Sequence, residues 1–469
     1  MRQTDLVIIG AGPAGMAAAD TAAAAGLNVI LLDEQAQPGG QIYRDVDRVG
    51  PLRGDLLGSD YLAGRRLTAA LSQDRINHIH GAVVWAIEEG CRIHYTGGDG
   101  GGAIQARHIL IATGALERPM PLPGWTRPGV MTAGAAQILL KQSGVLPRRA
   151  VLVGAGPLLY LIAAQMVRAG VPPVALVETQ TRADTLRGLR HVAGALRGWR
   201  YLLKGVSMLR EIRRAGVPRY TGVSGITIEG KERAEAVRFT AGSAVHRLDC
   251  ETVLLHHGVV PNTQAARSIG IAHRWEAQQA CFVPELDAWG RSNLRTVHVA
   301  GDGAGIGGAA VAAVAGRLAA LDIARDLGRI TLAERDDQAV GLRRALHRER
   351  AIRPFLDTAY PPAPEALRPA DTTTICRCEE VTAGEIRRQA ARGCRGPNQA
   401  KAFGRAGMGP CQGRYCGLTV TNLLSEANGA TQDETGYFRI RPPLKPVTLG
   451  ELAALTAPQA PGTLTEDKT

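Results

Sequence analysis

Leu6-Val-Ile-Ile-Gly10-Ala-Gly12-Pro13-Ala14-Gly15 opens the chain, an alanine-rich stretch carries it to about Ala25, and Val29-Ile-Leu-Leu32 runs into Asp33. The two short apolar runs read as strands and the stretch between them as a helix, with the glycine turn where strand meets helix. In that context the glycines permit the tight turn, the close approach of backbone to a pyrophosphate, and the close packing of helix on strand. The helix N-terminus offers its free N–H groups and dipole to the phosphates. Asp33 comes 23 residues after Gly10, where a carboxylate accepts hydrogen bonds from a ribose diol and repels a 2′-phosphate. The stretch predicts an α/β domain built to hold an adenine nucleotide.

Further signals support this unit. Pro38-Gly-Gly40-Gln41 follows the second strand, Ile109-Leu-Ile-Ala-Thr113-Gly114 is a strand running into a tight turn, and Thr296-Val-His-Val-Ala-Gly301-Asp302 returns a strand to a glycine-rich helix start. A second unit begins at Ala150-Val-Leu-Val153, turns at Gly154-x-Gly156, and ends its next strand at Glu178. Leu159 stands where the fingerprint wants a third small residue. The break argues against productive nicotinamide docking. It leaves a site kept for its fold, or an adenine nucleotide without a redox role, with Gly154, Gly156 and Glu178 as the candidate contacts. Segments 225–228, 236–240 and 252–255 read as strands.

Four of the eight cysteines crowd into the last quarter: Cys376-x-Cys378, then Cys411-x4-Cys416 after a long spacer. Two close thiolate pairs suit a metal or iron–sulfur centre, because each pair chelates from one turn of backbone. Structural zinc satisfies the same donors. Cys91, Cys250 and Cys281 are scattered singly and read as small buried hydrophobes; Cys394 lies outside the pattern and reads as a packed thiol. Cysteine usage implies a reducing, cytoplasmic compartment. No charged n-region or cleavage site precedes the first strand, so no secretory leader is expected. No apolar stretch is long enough to span a membrane.

The net charge is +12, and much of the excess sits between Arg182 and Arg219, where ten Lys/Arg face only Asp184 and Glu211. Leu, Trp199 and Tyr201 interleave with these arginines at helical spacing, so the segment reads as an amphipathic insert with a solvated basic face or a subunit contact. No nucleic-acid-binding module accompanies the charge. No Ser/His/Asp or Cys/His nucleophile set and no paired carboxylates occur in catalytic context. His256 and His257 read as packing or surface residues. No catalytic residue is expected.

The Gly10–Gly15 turn, Pro38–Gln41, Thr113-Gly114 and Gly301-Asp302 together resemble the two-dinucleotide-domain flavoproteins that include glutathione reductase and thioredoxin reductase, over about residues 4–325. In that family the Gly-Asp aspartate bonds the ribityl chain of FAD and the helix behind it faces the reduced flavin. The disulfide pair of those reductases has no counterpart, since no cysteine follows Gly40 until Cys91. Cys376-Arg-Cys378-Glu-Glu and Gly407-Met-Gly-Pro-Cys411-Gln-Gly-Arg-Tyr-Cys416 resemble the helical [2Fe-2S] domain of bacterioferritin-associated ferredoxins. Arg377, Lys401, Arg405 and Arg414 lie near these ligands in sequence and would stabilise an anionic cluster.

The whole chain resembles the large (A or α) subunit of heteromeric, dye-linked amino-acid dehydrogenases, the family of octopine and nopaline oxidases, D-hydroxyproline dehydrogenase, archaeal proline dehydrogenase and hydrogen cyanide synthase. The runs that carry this resemblance are Asp33-Glu34-Gln-x-x-Pro-Gly-Gly40-Gln41-Ile-Tyr-Arg44, Ala112-Thr-Gly-Ala-x-Glu-Arg-Pro119, Pro123-Gly-Trp-Thr-x-Pro-Gly129 and Arg441-Pro-Pro-Leu-Lys-Pro-Val447.

The resemblance implies FAD, or another adenine nucleotide, on Gly10, Gly12, Pro13, Ala14, Gly15, Asp33, Glu34, Gly40, Gln41, Arg44, Thr113, Gly114, Gly301 and Asp302. It implies a [2Fe-2S] cluster on Cys376, Cys378, Cys411 and Cys416, and FMN at a subunit interface. Amine oxidation would belong to a glycine-oxidase-like FAD subunit, beside a small third subunit. This chain would relay electrons to a quinone or other acceptor, with any membrane association arising through the complex. The competing reading is a self-contained NAD(P)H-dependent flavin reductase.

The expected architecture is an FAD/ADP domain over 1–118 and 285–330, and a degenerate second nucleotide domain over 119–284 with the insert at 182–219. A helix and linker follow over 331–370, then the cysteine domain over 371–428 and a tail over 429–469.

Overall fold

A computed structural model describes residues 2–97 and 100–456 of the chain. The first sheet grows around Arg2–Ile9, whose residues Leu6 to Ile9 are buried on both faces. Val29–Leu32 and Gly102–Ile111 flank it in parallel, and Ile76–Ile79 extends the sheet beyond Val29–Leu32. Continuous apolar runs of this kind suit parallel strands covered on both faces. Ala82–Glu88 and Arg92–Gly97 add an antiparallel edge. Val297–Val299 pairs in parallel with the end of Gly102–Ile111, so the chain returns to this sheet late.

Alanine and glycine set the packing distance. Helix Pro13–Ala24 lies against helix Ala309–Asp326, and a Cβ on Gly316 would stand 2.1 Å from the Ala14 carbonyl oxygen. Only glycine permits that approach.

The second sheet is wholly parallel, in the order Arg219–Thr221, Ala175–Glu178, Ala150–Gly154, Thr252–His256, Val130–Thr132. A three-stranded antiparallel sheet, Ser224–Glu229, Ala236–Ala241 and Ala244–Asp249, adjoins it. The basic insert is helical, over Arg182–Gly188, Val192–Arg197 and Trp199–Arg214.

Two segments differ from expectation. The Pro-rich stretch before 370 is no free linker. After helices Leu332–Arg350 and Arg353–Ala359 it is strapped to the second sheet, with Ala363 N–H donating to His257 Nδ1 at 3.2 Å. The Glu365 carboxylate accepts from the N–H groups of Gly225 and Ile226. The second is the expected tail after 429, of which the described part is packed. Phe438, Ile440 and Leu444 enter the same core as Ile375, Val420 and Leu424, and Leu444 N–H donates to Trp85 O at 2.8 Å. Apolar residues there are sparse and irregular, so they give no periodic signal. The polar stretch from 457 lies outside the described residues. Among the described residues no helix is long and apolar enough to cross a membrane.

Candidate functional site

The turn residues far apart in sequence meet at the start of helix Pro13–Ala24. Gly10 sits at φ +108°, and a Cβ there would lie 2.5 Å from Ala112 O, beside Thr113; one on Gly15 would lie 1.9 Å from Gly10 O. A Cβ on Gly40 would approach Gly12 Cα to 2.9 Å, and one on Gly301 would approach the Ala14 Cβ to 2.9 Å. Gly303, next to Asp302, lies beside Gly114 with more room: a Cβ there would meet Gly114 O at 3.4 Å, an ordinary contact. Gly12 itself is different: a Cβ would meet nothing nearer than 3.9 Å, so its outer side is open.

Polar groups complete this cradle. Asp33 accepts from Ala11 N–H at 2.6 Å and from Gln35 N–H at 2.8 Å, which pins its carboxylate beside the turn. Arg44 is buried, with its Nε lacking any partner. Burial lowers its affinity for a proton, while Asp33 and Asp45 oppose that. Asp302 Oδ1 accepts from the N–H groups of Gly307 and Gly308, each at 2.9 Å, and so sits at the mouth of helix Ala309–Asp326. Thr113 Oγ1 donates to Asn262 O at 3.2 Å. An open glycine above a helix N-terminus and a buried guanidinium with a spare donor fit a dinucleotide pyrophosphate.

Two lysines that are not among the expected site residues also bear on this site. Lys141 Nζ donates to Gln41 O and Ile42 O at 2.9 Å, fixing the loop after Gly40 to helix Ala133–Ser143 of the second unit; burial pushes its pKa down to about 7. Lys445, within the Arg441–Val447 run, pairs with Glu34. Neither contact has a local sequence signature, because each joins residues about a hundred or more positions apart.

The second turn is arranged otherwise. Glu178 is fully buried, and its carboxylate already accepts from Tyr160 Oη at 2.5 Å, Gln180 Nε2 at 2.7 Å and Arg219 Nε at 2.9 Å. Tyr360 packs edge-on against Tyr160 from the strapped segment. The expectation that Glu178 offers a ribose-binding carboxylate is therefore corrected: the protein's own donors saturate it. Gly154 and Gly156 keep their positive φ, and His256 lies under Gly156 with its Nδ1 2.7 Å from Glu117 Oε1. Glu117 in turn accepts from Gly134 N–H at 2.8 Å. His257 is buried, with Nε2 2.8 Å from Pro119 O.

The four C-terminal cysteines converge from two loops. Cys376 and Cys416 form one thiol contact and Cys378 and Cys411 another, and the two pairs influence each other electrostatically. The Cys376 thiol is pushed down to about 6, first by the Cys416 thiol and then, against its burial, by the N–H groups of Gly407, Glu379 and Cys378. A Cβ on Gly409 would stand 2.2 Å from Cys378 Cβ, so glycine allows the second loop to close on the first. Among the described residues no three potential ligands already stand at metal-holding distances. The donor chemistry, four thiols with amides aimed at sulfur, fits a thiolate-held centre. Of the nearby cations, Arg414 Nε donates to Cys411 O at 3.0 Å, whereas Arg405 is spent on Glu379.

The module touches the second unit at Trp125 and comes close to the first site beside Asn262, which holds Thr113 and Gly114. Trp125 Nε1 donates to Thr374 O at 2.6 Å, with Arg377 over its ring at 5.4 Å. Gln264 Nε2 donates to Gln412 O at 3.0 Å. A narrow crevice between them is lined by Asn262 and Thr263 on one side and Arg414, Leu418 and Tyr437 on the other.

Comparison with known proteins agrees with this geometry. The profile of pyridine nucleotide-disulphide oxidoreductases matches residues 4–317, and that of the sarcosine oxidase A3 domain matches 371–456. The opine oxidase A subunit of Rhizobium meliloti (strain 1021) is 44% identical over 97% of this chain and 99% of its own length. The chain belongs to the pyridine nucleotide-disulphide oxidoreductase family, on the branch of the opine oxidase A subunits. The hydrogen cyanide synthase HcnB subunit of Pseudomonas aeruginosa is 33% identical over 94% of this chain and 96% of its own. L-proline dehydrogenase of P. horikoshii shares the fold at 20% identity, with a TM-score of 0.70 over 96% of this chain and 79% of the other. Membership implies FAD at the first site, whose glycines and Arg44 fit it. The A3 match reaches past 428, in keeping with the packing of Phe438 and Leu444.

Proposed function

We propose that the chain is the electron-relay subunit of a multi-subunit amino-acid dehydrogenase, an oxidoreductase acting on the CH–NH bond of an opine, hydroxyproline or related secondary amine. The bond is broken on a glycine-oxidase-like FAD subunit, accompanied by a small third subunit and by FMN at the interface, and the acceptor is a quinone or similar oxidant. The observation that carries this reading is the approach of the cysteine module to the first site beside Asn262, which bonds both Thr113 and Gly114 and faces Arg414 across the crevice, with Gln264 donating to Gln412 next to it.

A flavin would take up electrons in pairs, and a [2Fe-2S] centre on Cys376, Cys378, Cys411 and Cys416 would pass them on singly. The chain's own residues do the holding. Gly10, Gly12 and Gly15 leave room for the pyrophosphate, Asp33 takes the ribose, Arg44 supplies a donor, and Asp302 anchors the start of the helix that faces the ring. The absence of a general base among them suits a relay.

The test is co-purification with the products of neighbouring genes, followed by a dye-reduction screen of opines, hydroxyproline, proline and glycine. Amine-dependent dye reduction by the complex and none by this chain alone supports the reading. Oxidation of NADH or NADPH by this chain alone would favour the self-contained reductase instead.

A further inference from the structure

The helical insert over 182–214 carries an apolar face that nothing in the fold uses. Helix Trp199–Arg214 turns Met208 and Ile212 inward, and both are buried in the core under the second sheet. On the opposite face Trp199, Leu203 and Val206 lie at offsets 0, 4 and 7, which one helix face shares, and are 53%, 58% and 43% exposed. Upstream, Leu186, Leu189 and Leu196, on the shorter helical turns that precede it, are exposed as well. Isolated exposed apolar residues are ordinary, but three on one helix face, with three more exposed on the adjoining helical turns, mark an interaction site.

The charge on this surface narrows what it fits. Arg190, Arg197, Arg200, Arg210, Arg213 and Arg214 are all exposed, and among the described residues none has a carboxylate partner; Arg200 instead lies 5.9 Å from the Trp199 ring. Arg210 and Arg213 continue the outward face of Trp199, Leu203 and Val206. A protein partner would have to supply carboxylates for six guanidinium groups and apolar contacts between them. An anionic bilayer supplies both at once, phosphates at the depth of the arginines and acyl chains below for the leucines, with tryptophan at the boundary.

We propose that this face, residues 186–214, docks the protein on the surface of an anionic phospholipid bilayer, lying in the interface without spanning it. The docking is electrostatic in reach and apolar in depth, so it requires both the arginines and the leucines.

The test is flotation of the full chain, and of its complex with co-purified subunits, with vesicles of phosphatidylcholine alone or of equal parts phosphatidylcholine and phosphatidylglycerol. Binding is expected to the mixed vesicles and not to phosphatidylcholine, and to fall in high salt. The double changes L196D/L203D and R197E/R200E should each weaken partitioning about tenfold. All four positions are exposed, and thermal melts check that the fold survives; the lipid and salt comparisons stand on the unaltered chain in any case. No binding, or equal binding to neutral vesicles, overturns the proposal. Binding by the chain but not by the complex shows that another protein of the complex covers the face, and a dimer dissolved by L196D/L203D shows that a second copy does; either result also overturns it.

Discussion

The guanidinium of Arg219 lies 2.7 Å from the fully buried carboxylate of Glu178, on the strand end where a dinucleotide's ribose would be held. With Tyr160 and Gln180 on the other oxygen, the carboxylate has no capacity left for a ligand. The protein is expected to show no saturable binding of NADH or NADPH, and neither should bleach its flavin absorbance. Arg219→Ala should leave Glu178 charged and unpaired, costing about 3–5 kcal/mol of stability by urea denaturation.

Gly12 separates folding from binding. Its φ of −79° is ordinary and a Cβ there meets nothing nearer than 3.9 Å, so Gly12→Ala should change stability by less than about 1 kcal/mol. The same methyl would stand in the open space over the helix N-terminus and should weaken FAD or ADP affinity at least about tenfold. Gly15→Ala, whose Cβ would stand 1.9 Å from Gly10 O, should instead destabilise the domain itself. Melting curves with and without nucleotide distinguish the two.

Lys445 ties the C-terminal segment to Glu34. The pair is partly exposed, so its loss should cost under about 1 kcal/mol of global stability. Its effect is local. Lys445→Glu sets like charge against Glu34 and Asp33, and should speed hydrogen exchange of the Leu444 amide, now bonded to Trp85 O, while the melting temperature barely moves.

Burial holds three histidines neutral: it pushes His108 down to about 4, and His257 and His273 to about 3. In the unfolded chain each titrates near the ordinary value of 6.5. The unfolded state therefore binds more protons below that pH, so stability is full above about pH 6.5 and falls as the pH drops toward the folded values. Urea midpoints at pH 8, 6.5 and 5 should decline over the last interval, above the carboxylate range. Replacing His257, whose ring nitrogens meet Pro119 O and Ala363 N–H, by Gln should flatten that decline.

The first site is legible in the sequence because local chemistry decides it: an apolar run, glycines where backbone must touch backbone, and a carboxylate at the next strand end. Leu159 likewise marks the second turn as altered. What closes that turn is not legible, since Arg219 and Tyr360 come from segments remote in the chain and only the folded sheet sets them beside Glu178. The same limit hides Lys141 on the Gln41 loop. The strapped Pro-rich segment and the packed residues 436–445 read as linker and tail because neither has a periodicity, and their order comes from contacts such as Ala363–His257 and Leu444–Trp85.

In the proposed relay, electrons leave through the four cysteines. The most direct measurement is amine-dependent acceptor reduction by the co-purified complex carrying Cys411→Ser, with iron and labile sulfide determined on the same samples. The unaltered chain is expected to carry about two iron atoms and two sulfides, the variant to lose them, and acceptor reduction to be lost while the amine still bleaches the flavin of the amine-oxidising subunit. One zinc in place of iron, or full acceptor reduction by the variant, would contradict it.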